Sequence, residues 1–271
     1  MTADDDRIPD EARVSLEVRG RTLVITMTRV DKRNAIDASM TAALDEALDL
    51  LDRDPDLRCG VLTGGATVFS AGTDLAEGAG PPTARGGEYG LIRRPRRTPL
   101  IAAVEGAALG GGFELVLACD MVVAGASARF GLPEVSRGVV PTCGGLFRTS
   151  ESLPMVAARR LALTGRPLDA TDAHARGLVN EVVADGAALD GALALADEVV
   201  SNSPSAVAAV LDALRAVEAD RTEAGWSATA SALARIEDSP DRYEGVAAFL
   251  EKREPRWAPR VPVEADTDER V

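Results

Sequence analysis

Three consecutive glycines, Gly110, Gly111 and Gly112, constrain this chain more than any other feature. An apolar strand over Leu100 to Val104 and a bend at Gly106 precede them, and an apolar run, Phe113 to Ala118, follows with Glu114 at its start. Without Cβ atoms a backbone can come very close to a ligand. A helix that begins at such a place leaves its first N–H groups without intrahelical partners, and its dipole favours negative charge there. Glu114 therefore has two readings at this point: a dipole-favoured helix-start residue, or a carboxylate beside backbone donors that bind a developing oxyanion.

Bulk properties remove several classes. The 271 residues are 46% hydrophobic, enough for a sizeable core, and the formal charge of −13 argues against a nucleic-acid groove. Cys59, Cys119 and Cys143 are widely spaced and odd in number, which fits free thiols in a reducing compartment. The single histidine, His174, leaves little material for a zinc site or a Ser-His-Asp triad. The acidic start, Met1 to Asp10, lacks the apolar stretch of a secretory signal, and no apolar run is long enough to span a membrane. The expectation is a soluble, cytoplasmic protein without a metal site or nucleic-acid partner.

Along the chain, Val14 to Val18 and Thr22 to Met27 alternate as an antiparallel hairpin across Gly20. Asp37 is placed to cap a helix whose apolar positions run from Met40 to Leu51. Cys59 to Thr63 reads as a buried strand, and Phe69 to Leu75 as a turn of small residues whose amides can face a ligand. The Gly/Pro/Ala-rich stretch from Ala76 to Gly90 reads as a mobile loop over a site, and Arg93, Arg94, Arg96 and Arg97 as a solvated basic face or an anion patch. Asp120 to Ala124 is another buried strand, and Glu134 falls on a loop after Pro133. Helices are expected over Met155 to Leu163, Ala170 to Ala175, Ala187 to Val200, Pro204 to Val217, Thr222 to Ile236 and Arg242 to Arg253, with a strand-like run from Leu178 to Val183. The glycine run lacks the spacing of a dinucleotide fingerprint.

Arg33-Asn34-Ala35, Ser70 to Leu75, Gly106 to Leu115, Phe130-Gly131-Leu132-Pro133-Glu134, Gly177 to Val183 and Glu244 to Arg253 occur in one order, and together they resemble the enoyl-CoA hydratase/isomerase, or crotonase, family. The resemblance covers about Val14 to Trp257. It implies an α/β fold, a crotonase-type superhelix of strand-strand-helix units with a C-terminal helical trimerisation region. The corresponding division is a core over 12–200, a helical oligomerisation region over 201–257, and flexible tails at 1–11 and 258–271. A homotrimer, or a homohexamer of two stacked trimers, is the implied assembly.

The resemblance also implies an oxyanion hole at the amides of Thr73 and Gly111, Thr73 standing where many members carry alanine. Acids matching Glu114 and Glu134 hold one water in the hydratase branch. Glu114 is expected to activate that water and Glu134 to deliver a proton to C2. Arg33, Asn34, Ala35, Ala71, Thr73, Asp74 and Leu75 are implied to touch coenzyme A, with Phe249 near the adenine and Lys252 near a phosphate. The expected activity is reversible hydration of a trans-2-enoyl-CoA. No cofactor is expected beyond the acyl-CoA substrate itself. The competing expectations are a double-bond isomerase, a specialised hydroxyacyl-CoA dehydratase, and a catalytically idle acyl-CoA-binding protein.

Overall fold

The computed structural model describes residues 13–259, so the tails expected at 1–11 and 258–271 lie outside the described residues apart from 258 and 259. The chain opens with β1 (Val14–Arg19) and β2 (Thr22–Met27), then α1 (Ala38–Arg53), β3 (Cys59–Thr63), β4 (Leu100–Val104), β5 (Ala107–Leu109) and α2 (Gly111–Leu117). It continues through β6 (Met121–Gly125), β7 (Arg129–Gly131), α3 (Gly145–Ser152), α4 (Met155–Thr164), β8 (Leu168–Asp169), α5 (Ala170–Ala175) and β9 (Glu181–Val183). Three helices close it: α6 (Ala188–Val200), α7 (Pro204–Glu237) and α8 (Pro240–Glu251).

A six-stranded sheet has the order β1-β2-β3-β4-β6-β9, antiparallel only at the β1–β2 hairpin. Its central strands are buried on both faces, which is why β3 and β4 read as continuous apolar runs. Alternate residues then sort into two cores. Leu62, Leu100, Ala102, Val104 and Val122 join Leu44, Leu48 and Leu51 of α1 on one side. Val61, Ile101, Ala103 and Val123 meet Ala188, Ala192 and Ala196 of α6 on the other, where three alanines a turn apart allow close approach. A second sheet, β5-β7-β8, stands beside the first and carries the glycine run at its end.

Three expectations are corrected. Pro204 to Val217 and Thr222 to Ile236 are one helix, α7; Glu218 to Arg221 contains no Gly or Pro, so the apolar stripe is interrupted but the backbone is not. The loop from Ala76 to Gly90 is packed rather than loose: Thr41 Oγ1 donates to the Ala79 carbonyl, Thr83 Oγ1 donates to Asp45, and Tyr89 is buried. Arg94 and Arg96 are neither a solvated face nor an anion patch. Arg94 pairs with Asp45, Asp49 and Asp52 of α1, and Arg96 with Asp120. The sequence reading also lacked β5 and α3, both short and both bordered by glycine.

Candidate active site

Backbone stitching places the two small-residue stretches side by side. Ser70 N donates to Ala107 O and Leu109 N to Ser70 O, tying the segment after β3 to β5. On its other edge, Ala71 N donates to Arg33 O, Ile36 N to Gly72 O and Asp74 N to Ile36 O. Thr73 is thereby held against the start of α2: a Cβ built on Gly72, at φ +94°, would lie 3.0 Å from Gly111 N. Among the hydrogen bonds of the described residues, the amides of Thr73 and Gly111 donate to no protein group.

Ala71, Thr73, Leu75, Gly111, Glu114 and Glu134 line one cavity of about 300 Å³, together with Tyr89, Gly110, Arg137, Arg242 and the 139–142 segment. Leu233 and Ile236 of α7 complete its wall. Gly110, the N-cap of α2 at φ +55°, leaves room for Glu134, since a Cβ there would lie 3.1 Å from Glu134 Oε1. Glu134 starts a 3-10 turn, Glu134–Arg137, that α8 clamps from outside: a Cβ on Gly245 would lie 2.2 Å from the Arg137 carbonyl. The Arg137 guanidinium stacks 4.3 Å from the Phe249 ring.

The two acids differ in their surroundings. Glu114 is buried, and its Oε1 accepts from the amides of Cys143 and Gly145 at 2.7 and 2.8 Å, at the start of α3. Burial raises its pKa to about 7 against the pull of those two donors. Glu134 is raised further, to about 8, first by burial and then by the charge of Glu114, and its shielded Oε2 has no partner among the described residues. A pair of carboxyls held near neutrality, one better supplied with donors than the other, can hold one proton between them over a useful pH range. Cys143, also at the cavity's back, is not an activated thiol, since burial pushes it far up. His174 is engaged through Nδ1 with the Val179 carbonyl, outside the cavity. Among the described residues no cluster of three or more His, Cys, Asp or Glu is arranged to hold a metal ion, and no helix is long and apolar enough to cross a membrane.

The remaining expected site residues do not line the cavity. Asn34 is buried, and its Nδ2 lies 2.9 to 3.1 Å from the carbonyls of Gly64, Val68 and Phe69, so its side chain fixes the loop after β3. Asp74 is engaged by Arg29 and by the amides of Ala76 and Glu77, and Ala35 offers its carbonyl to Arg29. Arg33, in the left-handed region, lies close enough to Arg137 for the two charges to repel. Phe249 is half-exposed under Arg137, and Lys252 is the exposed, left-handed C-cap of α8. The sequence reading missed Tyr89 and Arg137. Tyr89 could have been noticed as one of only two tyrosines in a chain with 3% aromatics. Arg137 carried the weaker signal of lying one 3-10 turn after Glu134.

Comparisons with known proteins identify the family. The enoyl-CoA hydratase/isomerase family model matches residues 17–260. An enoyl-CoA hydratase of Mycobacterium tuberculosis is 39% identical over 255 residues, covering 90% of this chain and 96% of that one. A carnitinyl-CoA dehydratase of Salmonella agona is 40% identical over 252 residues, covering 89% and 96%. A solved carnitinyl-CoA dehydratase of Mycobacterium avium superposes with a TM-score of 0.85 at 43% identity, covering 92% and 99%. Agreement over that length, at that identity and on the same fold, makes this chain a member of the enoyl-CoA hydratase/isomerase family.

Proposed function

We propose that the chain reversibly hydrates a trans-2-enoyl-CoA to a 3-hydroxyacyl-CoA. One observation carries the reading: two raised carboxyls and two unengaged amides line the same cavity. In the forward direction the Glu114 carboxylate takes a proton from water as the water oxygen bonds to C3. The C2–C3 π electrons move onto the thioester oxygen, where the amides of Thr73 and Gly111 stabilise the enolate more than the ground-state carbonyl. The Glu134 carboxylic acid then protonates C2. Glu114 ends protonated and Glu134 ionised, and exchange of that proton restores the pair. The assignment follows the donors: Glu114, with two amides on Oε1, ionises before Glu134. No metal or redox group is required, coenzyme A arriving as part of the substrate.

Dehydration of a specialised hydroxyacyl-CoA is the same chemistry reversed, and the relatives named carnitinyl-CoA dehydratase favour testing it. The cavity's arginines, Arg137 and Arg242, would repel a trimethylammonium tail placed beside them, so an uncharged or anionic acyl chain suits this cavity better. We further propose a homotrimer or homohexamer working on free acyl-CoA in the cytoplasm. The deciding experiment is a panel of enoyl-CoAs differing in length and charge. Loss of the conjugated-thioester absorbance with a gain of one water in product mass supports hydration. Tight binding without turnover across the panel sinks it.

A further inference from the structure

Beside the unengaged amides stands a pair of hydroxyls that the mechanism above does not use. Tyr89 Oη and Thr73 Oγ1 are 2.7 Å apart, and both residues line the cavity. Thr73 carries one of the two amides. The other belongs to Gly111, and a Cβ built there would lie 2.5 Å from Tyr89 Oη. The phenol therefore lies against both residues that face the thioester oxygen in the proposed reaction.

Proton counting gives this pair a function. Two hydroxyls carry two protons, and the hydrogen bond between them uses one. The second proton is left to an acceptor in the cavity or, if Tyr89 carries it, to the Cys143 sulfur, which lies within reach of the phenol, and a thiol sulfur is a weak acceptor. A thioester oxygen gathering negative charge is a strong one. Burial also holds the Tyr89 proton in place, pushing its pKa well above the usual phenol value.

The placement of Tyr89 is built into the fold at a cost. Its φ is +55°, the left-handed region that a bulky residue rarely adopts, and such strain collects at functional sites. The surroundings hold it there. A Cβ on the next residue, Gly90, would lie 2.6 Å from Asp45 N of α1, and Arg94 Nε donates to the Gly90 carbonyl.

We infer that the Thr73–Tyr89 hydroxyl pair is a third hydrogen-bond donor to the thioester oxygen. Whichever hydroxyl faces the substrate, Tyr89→Phe breaks the pair: it removes the donor itself, or it removes the group that polarises the Thr73 hydroxyl. The inference rests on the oxyanion site proposed above, so its test reads that site without turnover. Acetyl-CoA labelled with carbon-13 at the carbonyl cannot be hydrated, and its carbonyl stretch in infrared difference spectra reports hydrogen bonding to the oxygen. The wild-type protein should lower that stretch, and Tyr89→Phe and Thr73→Ala should each give a smaller shift while Thr73→Ser keeps it. On an enoyl-CoA that the wild type hydrates, Tyr89→Phe should lose about tenfold to a hundredfold in kcat with KM within about twofold. Thermal melting of each variant identifies any that fails to fold, and Thr73→Ala carries the test if Tyr89→Phe does. An undiminished carbonyl shift in folded Tyr89→Phe and Thr73→Ala overturns the inference and leaves the two-amide site standing. No shift in the wild type, with acetyl-CoA bound, overturns both.

Discussion

Glu134 and Glu114 stand on different elements yet share one cavity, and the charge of Glu114 adds to burial in raising Glu134 to about 8. The proposed hydration needs one of the pair ionised and the other protonated. Below about 7 both carry protons and no base remains; above about 8 both are ionised and no acid remains. The kcat/KM profile, which reports the free enzyme, should therefore be a narrow bell with its maximum between those values, and its limbs belong to the pair rather than to either residue. Glu114→Gln and Glu134→Gln should each lose at least about a hundredfold, and the double variant should be little worse than either single one. A flat profile from pH 6 to 9 would remove the two-acid mechanism.

The same shifts make stability fall as pH rises. An unfolded glutamate titrates near about 4.3, so between there and the folded values of about 7 and about 8 the native chain binds more protons than the unfolded one. This contribution is complete below the unfolded value and is lost as pH climbs through the folded ones. Glu134→Gln, shaped like the protonated acid, should melt close to wild type at pH 5 and several degrees above it at pH 9. An equal offset at both pH values would show that Glu134 is not held at a raised pKa.

Arg94 offers a test of the loop that carries Tyr89. Its side chain is fully buried against Asp45, Asp49 and Asp52, and it also holds the Gly90 carbonyl. Arg94→Met leaves three carboxylates of α1 facing one another and should cost about 3–5 kcal/mol at pH 7 in urea unfolding. Asp49 is held below its usual pKa chiefly by its hydrogen bond to Arg94, so its share of the stability is present at neutral pH and is lost on acidification. The gap between wild type and Arg94→Met should hold down to about pH 4, the unfolded aspartate value, and shrink as pH falls below it. A constant gap would mean that the cost is packing rather than charge.

Elements whose signals are local were legible in the sequence. Asp37 and Asp169 cap α1 and α5 through side chains that accept from Met40 N and Asp172 N, as their positions suggest. The strand at β4 and the start of α2 were readable for the same reason, an apolar run punctuated by glycine. What was not legible depends on partners distant in sequence. The arginines from 93 to 97 look like a surface cluster until α1 presents its aspartates at i, i+4 and i+7 to Arg94. Asn34 reads equally well as a ligand contact or a loop clamp until Gly64, Val68 and Phe69 bring their carbonyls to it. Tyr89 was hidden by its neighbours, since a Gly/Pro-rich composition predicts mobility unless a helix elsewhere is shaped to receive the loop.

The face of α7 that the described residues leave uncovered supplies the last prediction. Val210, Leu214 and Val217 recur at i, i+4 and i+7 and are 59%, 58% and 82% exposed. Apolar residues in such a row on a charged helix are expected to be covered, and in the proposed trimer another copy of this chain covers them. Leu214→Glu with Val217→Glu would put two carboxylates into that contact, where unpaired charge costs several kcal/mol per site. Light scattering should show a trimer or hexamer for wild type and a smaller species for the double variant. The far end of α7 lines the cavity through Leu233 and Ile236, so a helix loosened by dissociation should raise KM more than it lowers kcat. A wild-type monomer, or a double variant of unchanged mass, would rule out this stripe as the contact between copies.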